Sequence, residues 1–158
     1  MKPKLILLIG PPCSGKSTWS SEYVKNRKAI RLNRDDFRLS MFKRHNLSQE
    51  EENMICKLMH TSAKEALKRS YDVVIDQTNN ESRYITPYYI GFKDIADVRL
   101  KVFTSELSML KKRNQIRAIE NRMLPIPDAF MENMYRKHNE LVRKFVIKGL
   151  LRTNGYLD

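Results

Sequence analysis

Apolar residues recur along this chain in two rhythms, short unbroken runs and longer stretches at helical spacing. Residues 5–9, LILLI, form a continuous apolar run followed at once by turn residues, which suits a strand covered on both faces. A helix is expected from Lys16 to about Arg27, a second strand over 29–33 (AIRLN), and a short helix from about Asp36 to Phe42. Residues 48–51, SQEE, have the spacing of a capping box, with Ser48 as N-cap and Glu51 three residues on. Met54, Ile55, Leu58, Met59, Ala63, Ala66 and Leu67 then make an apolar stripe of the kind that packs into a core.

The alternation continues to the far end. YDVVID (71–76) reads as a third buried strand closing on an acid, 81–95 as a helix started or kinked by Pro87, and VRLKVF (98–103) as a fourth strand. A helix from about Ser105 and a long one from about Asp128 follow, the latter burying Phe130, Met134, Leu141 and Phe145. Strands alternating with helices imply right-handed crossovers, an α/β fold, and a parallel sheet of four or five strands flanked by helices. Ligands of such sheets bind at the carboxyl ends of the strands.

Composition narrows the class. At 158 residues one domain over 1–158 is expected, and no linker, repeat or low-complexity block interrupts it. The formal net charge of +12 makes polyanions the expected partners. That excess is uneven: +7 over residues 1–50, −1 over 51–100 and +6 over 101–158, so both ends of the sequence are expected to line one phosphate-attracting surface. Cys13 and Cys56 show neither a disulfide framework nor a zinc pattern, which suits a reducing cytoplasm. Lys2 and Lys4 before 5–9 imitate a secretion signal, but the run is too short for one and far short of a membrane span.

GPPCSGKS (10–17) matches GxxxxGK[ST] directly after a buried strand and before a helix, the context that aims loop N–H groups and a helix start at phosphate. Pro11 and Pro12 lack N–H groups, so donation falls to Cys13, Ser14, Gly15, Lys16, Ser17 and Thr18. Lys16 is expected on the β- and γ-phosphates of a nucleoside triphosphate and Ser17 on Mg²⁺. Cys13 stands where a helix start stabilises a thiolate, or is an inert small loop residue. This loop alone does not say what accepts the phosphoryl group.

Acceptor chemistry is read at the other strand ends. Asp35, on the turn after the second strand, can reach an acceptor hydroxyl as general base, while Asp36 suits a helix start; equally, both acids cap that helix and pair with Arg34 or Arg38. Asp76 closes its strand as a candidate Mg²⁺ ligand or an orienter of a basic residue, and Thr78, Asn79 and Asn80 suit either ligand contacts or a helix N-cap. Lys111, Lys112, Arg113, Arg117 and Arg122 form either a basic lid over the phosphates or a solvated helix face. His45, His60 and His138 are scattered singly; Phe37, Tyr84, Tyr88 and Tyr89 are available for base stacking or for the core.

GPPCSGKSTW, LNRDDFR, VVIDQTNN, and RNQIR followed by PIPDAFMENMY resemble, in order and spacing over residues 4 to about 137, the kinase domain of bacteriophage 5′-polynucleotide kinases. The resemblance implies an adenylate-kinase-like P-loop domain moving the γ-phosphate of ATP, with Mg²⁺, to 5′-hydroxyl ends of DNA or RNA in the cytoplasm, the host's if phage-encoded. It also implies Asp35 as general base, Arg38 and Thr78 on the acceptor, and Arg117 or Arg122 as the lid arginine; Arg34, Asp76, Gln77 and Asn79 are further candidate substrate contacts, and Arg113 a candidate nucleotide contact. The family's acidic position before its TN falls on Gln77 or on Asp76. No DxDxT stretch is present, so the phosphatase that accompanies the phage kinases is not expected. A kinase of a small metabolite or nucleoside, and a non-catalytic nucleotide-gated nucleic-acid binder, are the rival readings.

Overall fold

The computed structural model describes residues 2–147 and 156–157. Five strands, β1 (Lys4–Ile9), β2 (Ala29–Asn33), β3 (Asp72–Asp76), β4 (Asp97–Val102) and β5 (Tyr156–Leu157), form one sheet in the order β2-β3-β1-β4-β5. The first four are mutually parallel, and β5 pairs antiparallel with β4. Leu5 stands opposite Val73 and Val98, so the most apolar segment of the chain runs through the middle of the sheet.

Two-residue periodicity sends alternate side chains of β1 to opposite faces. Leu5, Leu7 and Ile9 join Val73 and Ile75 in the larger core cluster, whereas Ile6 and Leu8 join Val74 in the smaller one. The smaller cluster is covered by α1 (Lys16–Lys25) through Trp19, Tyr23 and Val24. The larger is covered by α3 (Gln49–Lys68) and α4 (Ser82–Phe92), with Phe37 and Phe42 of α2 (Arg34–Phe42) packed against it. Two further helices, α5 (Leu107–Glu120) and α6 (Asp128–Ile147), pack on each other, and Leu141 of α6 reaches the larger cluster. Asn114 closes the turn between them: its amide donates to the Ile126 carbonyl at 2.8 Å and its Oδ1 accepts the Ile126 N–H at 3.1 Å.

Local signals hold in most places. Ser48 and Glu51 form the expected capping box of α3, whose buried positions are Ile55, Met59, Ala63 and Leu67. Met54, from the same stripe, is 48% exposed, because only one residue of each helical turn faces the sheet here. The short second helix starts at Arg34 rather than Asp36, since Asn33 is its N-cap and accepts the N–H groups of both Asp35 and Asp36. Pro87 lies inside α4, which continues through it. In α6 the buried residues are Met131, His138 and Leu141; Phe130, expected inside, is 51% exposed, and the Phe145 side chain lies outside the described residues.

Leu7→Ala is expected to lower unfolding free energy by about 3 kcal/mol through loss of buried contact and the cavity left behind. Ser48→Ala is expected to lower it by only about 1 kcal/mol, the worth of an N-cap. Urea denaturation midpoints of the two variants check the ranking.

Candidate active site

The loop between β1 and α1 is built around tight packing and left-handed backbone. A Cβ at Gly10 would stand 2.7 Å from Ser14 Oγ and 3.0 Å from Phe103 Cβ, so only glycine fits where the loop leaves the sheet. Cys13 (φ 63°) and Gly15 (φ 97°) turn the chain back, and Gly15 serves as the N-cap of α1. The Gly10 N–H donates to the Thr78 carbonyl at 3.1 Å, and the Asn79 amide donates to the Leu8 carbonyl at 2.7 Å. These two bonds fasten the segment after β3 to the phosphate-binding loop. Asn79 is thereby held by the backbone of β1 and by the Gln77 amide, which donates to its Oδ1 at 2.7 Å.

Lys16 is only 8% exposed. Its ammonium donates to the carbonyls of Gly10 at 2.9 Å and Pro11 at 2.7 Å and to Ser14 Oγ at 3.4 Å. Burial lowers its pKa to about 8, against the opposing charge of Asp76. An ammonium placed among loop carbonyls in this way is poised to exchange them for anionic phosphate oxygens.

The strand ends beside the loop carry the carboxylates. Asn33 lies opposite Asp76 in the β2–β3 register, and its amide donates to the Asp76 carbonyl at 2.9 Å. Asp76 is 1% exposed, and its Oδ2 accepts from Ser20 Oγ at 3.0 Å and from Arg31 Nε at 2.7 Å. Arg31 Nη2 is also 2.7 Å from Asp76 Oδ2, and Arg31 Nη1 donates to Asp36 Oδ2 at 2.7 Å. Asp76 thus orients a basic residue, and that residue is Arg31.

The two neighbouring acids at 35 and 36 separate accordingly. Both are exposed, Asp35 60% and Asp36 64%; Asp36 pairs with Arg31 Nη1 at 2.7 Å and Asp35 with Arg38 Nη1 at 2.6 Å. Glu52 of α3 holds both flanking arginines, Arg34 at 2.7 Å and Arg38 at 2.8 Å. Their forks are therefore fixed in place rather than free in solvent.

Two cavities meet at the loop. One of about 680 Å³ lies along Cys13, Ser14, Gly15, Lys16, Ser17 and Thr18 and is bounded by Arg113 and Arg117. The second, of about 550 Å³, is lined by Lys16, Ser17, Arg34, Asp35, Arg38 and Asp76 together with Gln77, Thr78 and Asn79. Arg117 lines both cavities, and its buried Nε has no hydrogen-bond partner among the described residues. Arg113 lines only the first and donates to the Cys13 carbonyl at 3.3 Å. Arg122 is exposed in a left-handed turn after α5 and lines neither. Lys111 is engaged elsewhere, with Asp128 at 2.9 Å and Glu132 at 2.6 Å.

Several residues here escaped the pattern of the sequence. Arg31 carries a weak signal, since it alternates with Asn33 along β2 and so shares its side of the strand. Glu52, Arg83, Phe130, Met134 and Lys137 carry none, because only folding brings α3, α4 and α6 to the loop. Tyr84 lines the second cavity, Tyr88 stacks with His60 in the core, and Tyr89 is exposed. His138 is buried, neither ring nitrogen has a hydrogen-bond partner among the described residues, and burial, with the charge of Lys16, lowers its pKa to about 4.

Residues 5–141 match the family model described as an AAA domain. A chain in the structure of the Pnkp1/Rnl/Hen1 RNA repair complex is 33% identical with a TM-score of 0.83, covering 90% of this chain and 46% of that one. A second structure of the Pnkp1/Rnl/Hen1 complex gives 37% identity and a TM-score of 0.65, covering 70% of this chain and 39% of that one. This chain therefore spans less than half the length of either. A gluconokinase from Sinorhizobium meliloti 1021, at 14% identity and a TM-score of 0.57 over 86% of this chain and 75% of that one, shares the fold.

With a Lys16 pKa of about 8, the ammonium loses its proton above that pH and must regain it to hold phosphate. The dissociation constant for a nucleoside triphosphate is expected to be flat below pH 8 and to rise by up to about tenfold per pH unit above it. Calorimetric titration between pH 7 and 9.5 measures this, and a flat profile would count against it. Arg31→Met strands the buried Asp76 carboxylate and is expected to cost about 3 kcal/mol of stability; denaturant titration reads the loss.

Proposed function

Because the chain belongs to the AAA domain family and has the fold of a P-loop kinase, we propose that it is a polynucleotide kinase moving the γ-phosphate of ATP to a 5′-hydroxyl end of RNA or DNA. One observation carries this reading: Asp35, a solvent-facing carboxylate gripped by Arg38, lines one cavity with Lys16, Ser17 and Arg117 at the mouth of the phosphate loop. Likeness to a chain of an RNA repair complex supports a nucleic-acid acceptor, as does the basic lining that Arg34, Arg38, Arg83 and Lys137 give the cavity. In this reading residues 1–158 act as one kinase domain.

ATP occupies the first cavity, its phosphates on the N–H groups of residues 13–18 and on Lys16, with Arg113 at the nucleotide side. The acceptor end occupies the second cavity, its hydroxyl at Asp35 and its neighbouring phosphate at Arg38, with Thr78 and Arg34 beside it. Asp35 takes the proton of the 5′-hydroxyl as the new O–P bond forms. The bond from the γ-phosphorus to the β–γ bridging oxygen breaks, and ADP leaves with that electron pair. Arg117, facing both cavities, spans the donor and acceptor and stabilises charge on the transferring group.

Ser17 and Asp76 line the second cavity, where Mg²⁺, a hard cation that keeps several waters and needs few protein oxygens, would be held by the Ser17 hydroxyl directly and by the buried Asp76 carboxylate through one of those waters. Bound there, Mg²⁺ would supply neutralisation of charge on the β- and γ-phosphates. Asp76 keeps its orientation through Ser20 and Arg31. Asp36 holds Arg31 and stays out of the proton transfer.

Asp35→Asn is expected to lower transfer to a 5′-hydroxyl oligonucleotide by at least about a hundredfold, as loss of a general base does, with ATP affinity unchanged. Transfer from γ-labelled ATP to 5′-hydroxyl RNA, 5′-hydroxyl DNA and free nucleosides measures it. Near-normal transfer by the variant removes Asp35 from the mechanism. Label on nucleosides alone, or on nothing, overturns the polynucleotide reading.

A further inference from the structure

We propose that a groove between the start of α4 and the side of α6 that carries Lys137 and Lys144 is a track for the second to fourth nucleotides of a single-stranded acceptor, guiding the strand away from the site of transfer. The inference rests on the polynucleotide kinase reading and deepens it by setting the length of substrate that the protein engages.

A third cavity, of about 340 Å³, is lined from one side by Asn80–Arg83 and from the other by Lys137, Glu140, Leu141 and Lys144 of α6. It shares Asn80, Glu81, Arg83 and Lys137 with the acceptor cavity, so the two are continuous. One side of α6 serves both: Phe130, Met134 and Lys137 line the acceptor cavity, and Lys137, Leu141 and Lys144 the groove, at steps of three and four residues. From Lys137 to Lys144 the helix advances about 10 Å at 1.5 Å per residue. That length suits about three stacked nucleotides at 3.4 Å each.

The chemistry along the path is that of a strand reader. Lys137 donates to Glu81 Oε1 at 2.9 Å and Arg83 Nε lies 3.1 Å from Glu81 Oε2, so one carboxylate fixes a cation on each wall. Glu140 also lines the groove, its charge met by Arg136 at 2.7 Å. Lys144 is exposed at the far end. Cations spaced along both walls follow a phosphate backbone without reading its sequence.

A second, independent feature points to a nucleotide rather than a bare anion. Asn80 is 4% exposed and lines both cavities, and its Oδ1 has no hydrogen-bond partner among the described residues while its amide is held by the Met134 carbonyl at 3.1 Å. An unpaired buried acceptor calls for a donor. Sugar hydroxyls and base amino groups supply one, whereas a phosphate does not. At the opening of the path, the exposed ring of Phe130 and the face of Tyr84 opposite the Arg83 guanidinium offer surfaces on which the first base can stack.

The test measures kcat/KM for 5′-hydroxyl acceptors of increasing length: a nucleoside 3′-monophosphate, a dinucleotide, a tetranucleotide and an octanucleotide. A track of this length predicts a rise of at least about tenfold from the monophosphate to the tetranucleotide and a plateau beyond it, steeper at low salt. Lys144→Glu is expected to lower kcat/KM on the tetranucleotide at least about fivefold more than on the monophosphate, and Lys144→Arg to restore the length dependence. Equal kcat/KM at every length in the unmodified protein, or an equal loss at every length in Lys144→Glu, overturns the track and leaves the polynucleotide kinase standing. Failure of the unmodified protein to label any nucleic-acid acceptor overturns both.

Discussion

Asp76 is a carboxylate delivered by a buried strand to a place water barely reaches, and the arrangement around the phosphate loop follows from how that charge is met. Burying an ion costs several kcal/mol unless an opposite charge and hydrogen bonds compensate it. Arg31 and Ser20 supply both. Ser20 belongs to the helix that begins at the phosphate loop, Arg31 to β2, and Asp36, which takes the other end of Arg31, to the first turn of α2. One carboxylate therefore locks together the elements carrying Lys16 and Asp35. The Asn33 amide, bonded to the Asp76 carbonyl while its oxygen caps α2, repeats the same tie through the backbone.

Asp35 gains its distinctness from this lock. Two adjacent acids in a first helical turn have equal claims on the N-terminal dipole and on nearby arginines. Once Arg31 has taken Asp36, Asp35 is left facing the cavity with Arg38 as its partner. Glu52 does comparable work for the cations. By holding Arg34 and Arg38 from α3 it allows two guanidinium groups to stand close together at the edge of a basic protein. The uneven charge of the sequence is gathered here, because Lys16, Arg34 and Arg38 from its first third and Arg117 and Lys137 from its last line the same cavity.

Local patterns were legible where local physics decides them. The five apolar residues before Gly10, the strand over 29–33, the capping box at Ser48 and the phosphate loop all stand where the residue pattern places them. The start of α2 was misplaced by two residues, since Asn33 competes with the aspartates for the cap and wins through its second bond to β3. Phe130 and Met54 fit a helical stripe as well as their buried neighbours do, yet they lie outside because a stripe's edge is set by what packs against it. Arg117 and Arg122 are equivalent by composition. They differ because α5 ends at Glu120 and the left-handed turn at Arg122 carries the second one away from the loop.

The amino-acid sequence by itself determined the α/β alternation, the phosphate-binding loop and the basic character of the surface, since hydrophobic period, glycine placement and charge act over a few residues. Tertiary structure decided the partners: Arg31 for Asp76, Glu52 for Arg34 and Arg38, and the joint exposure of Arg117 to both cavities. The physical reason is that ion pairs and cavity walls form between residues distant in the chain, such as 31 with 76 and 34 with 52. Which of two chemically identical side chains meets a given partner is then settled by the sheet order and by where each helix ends.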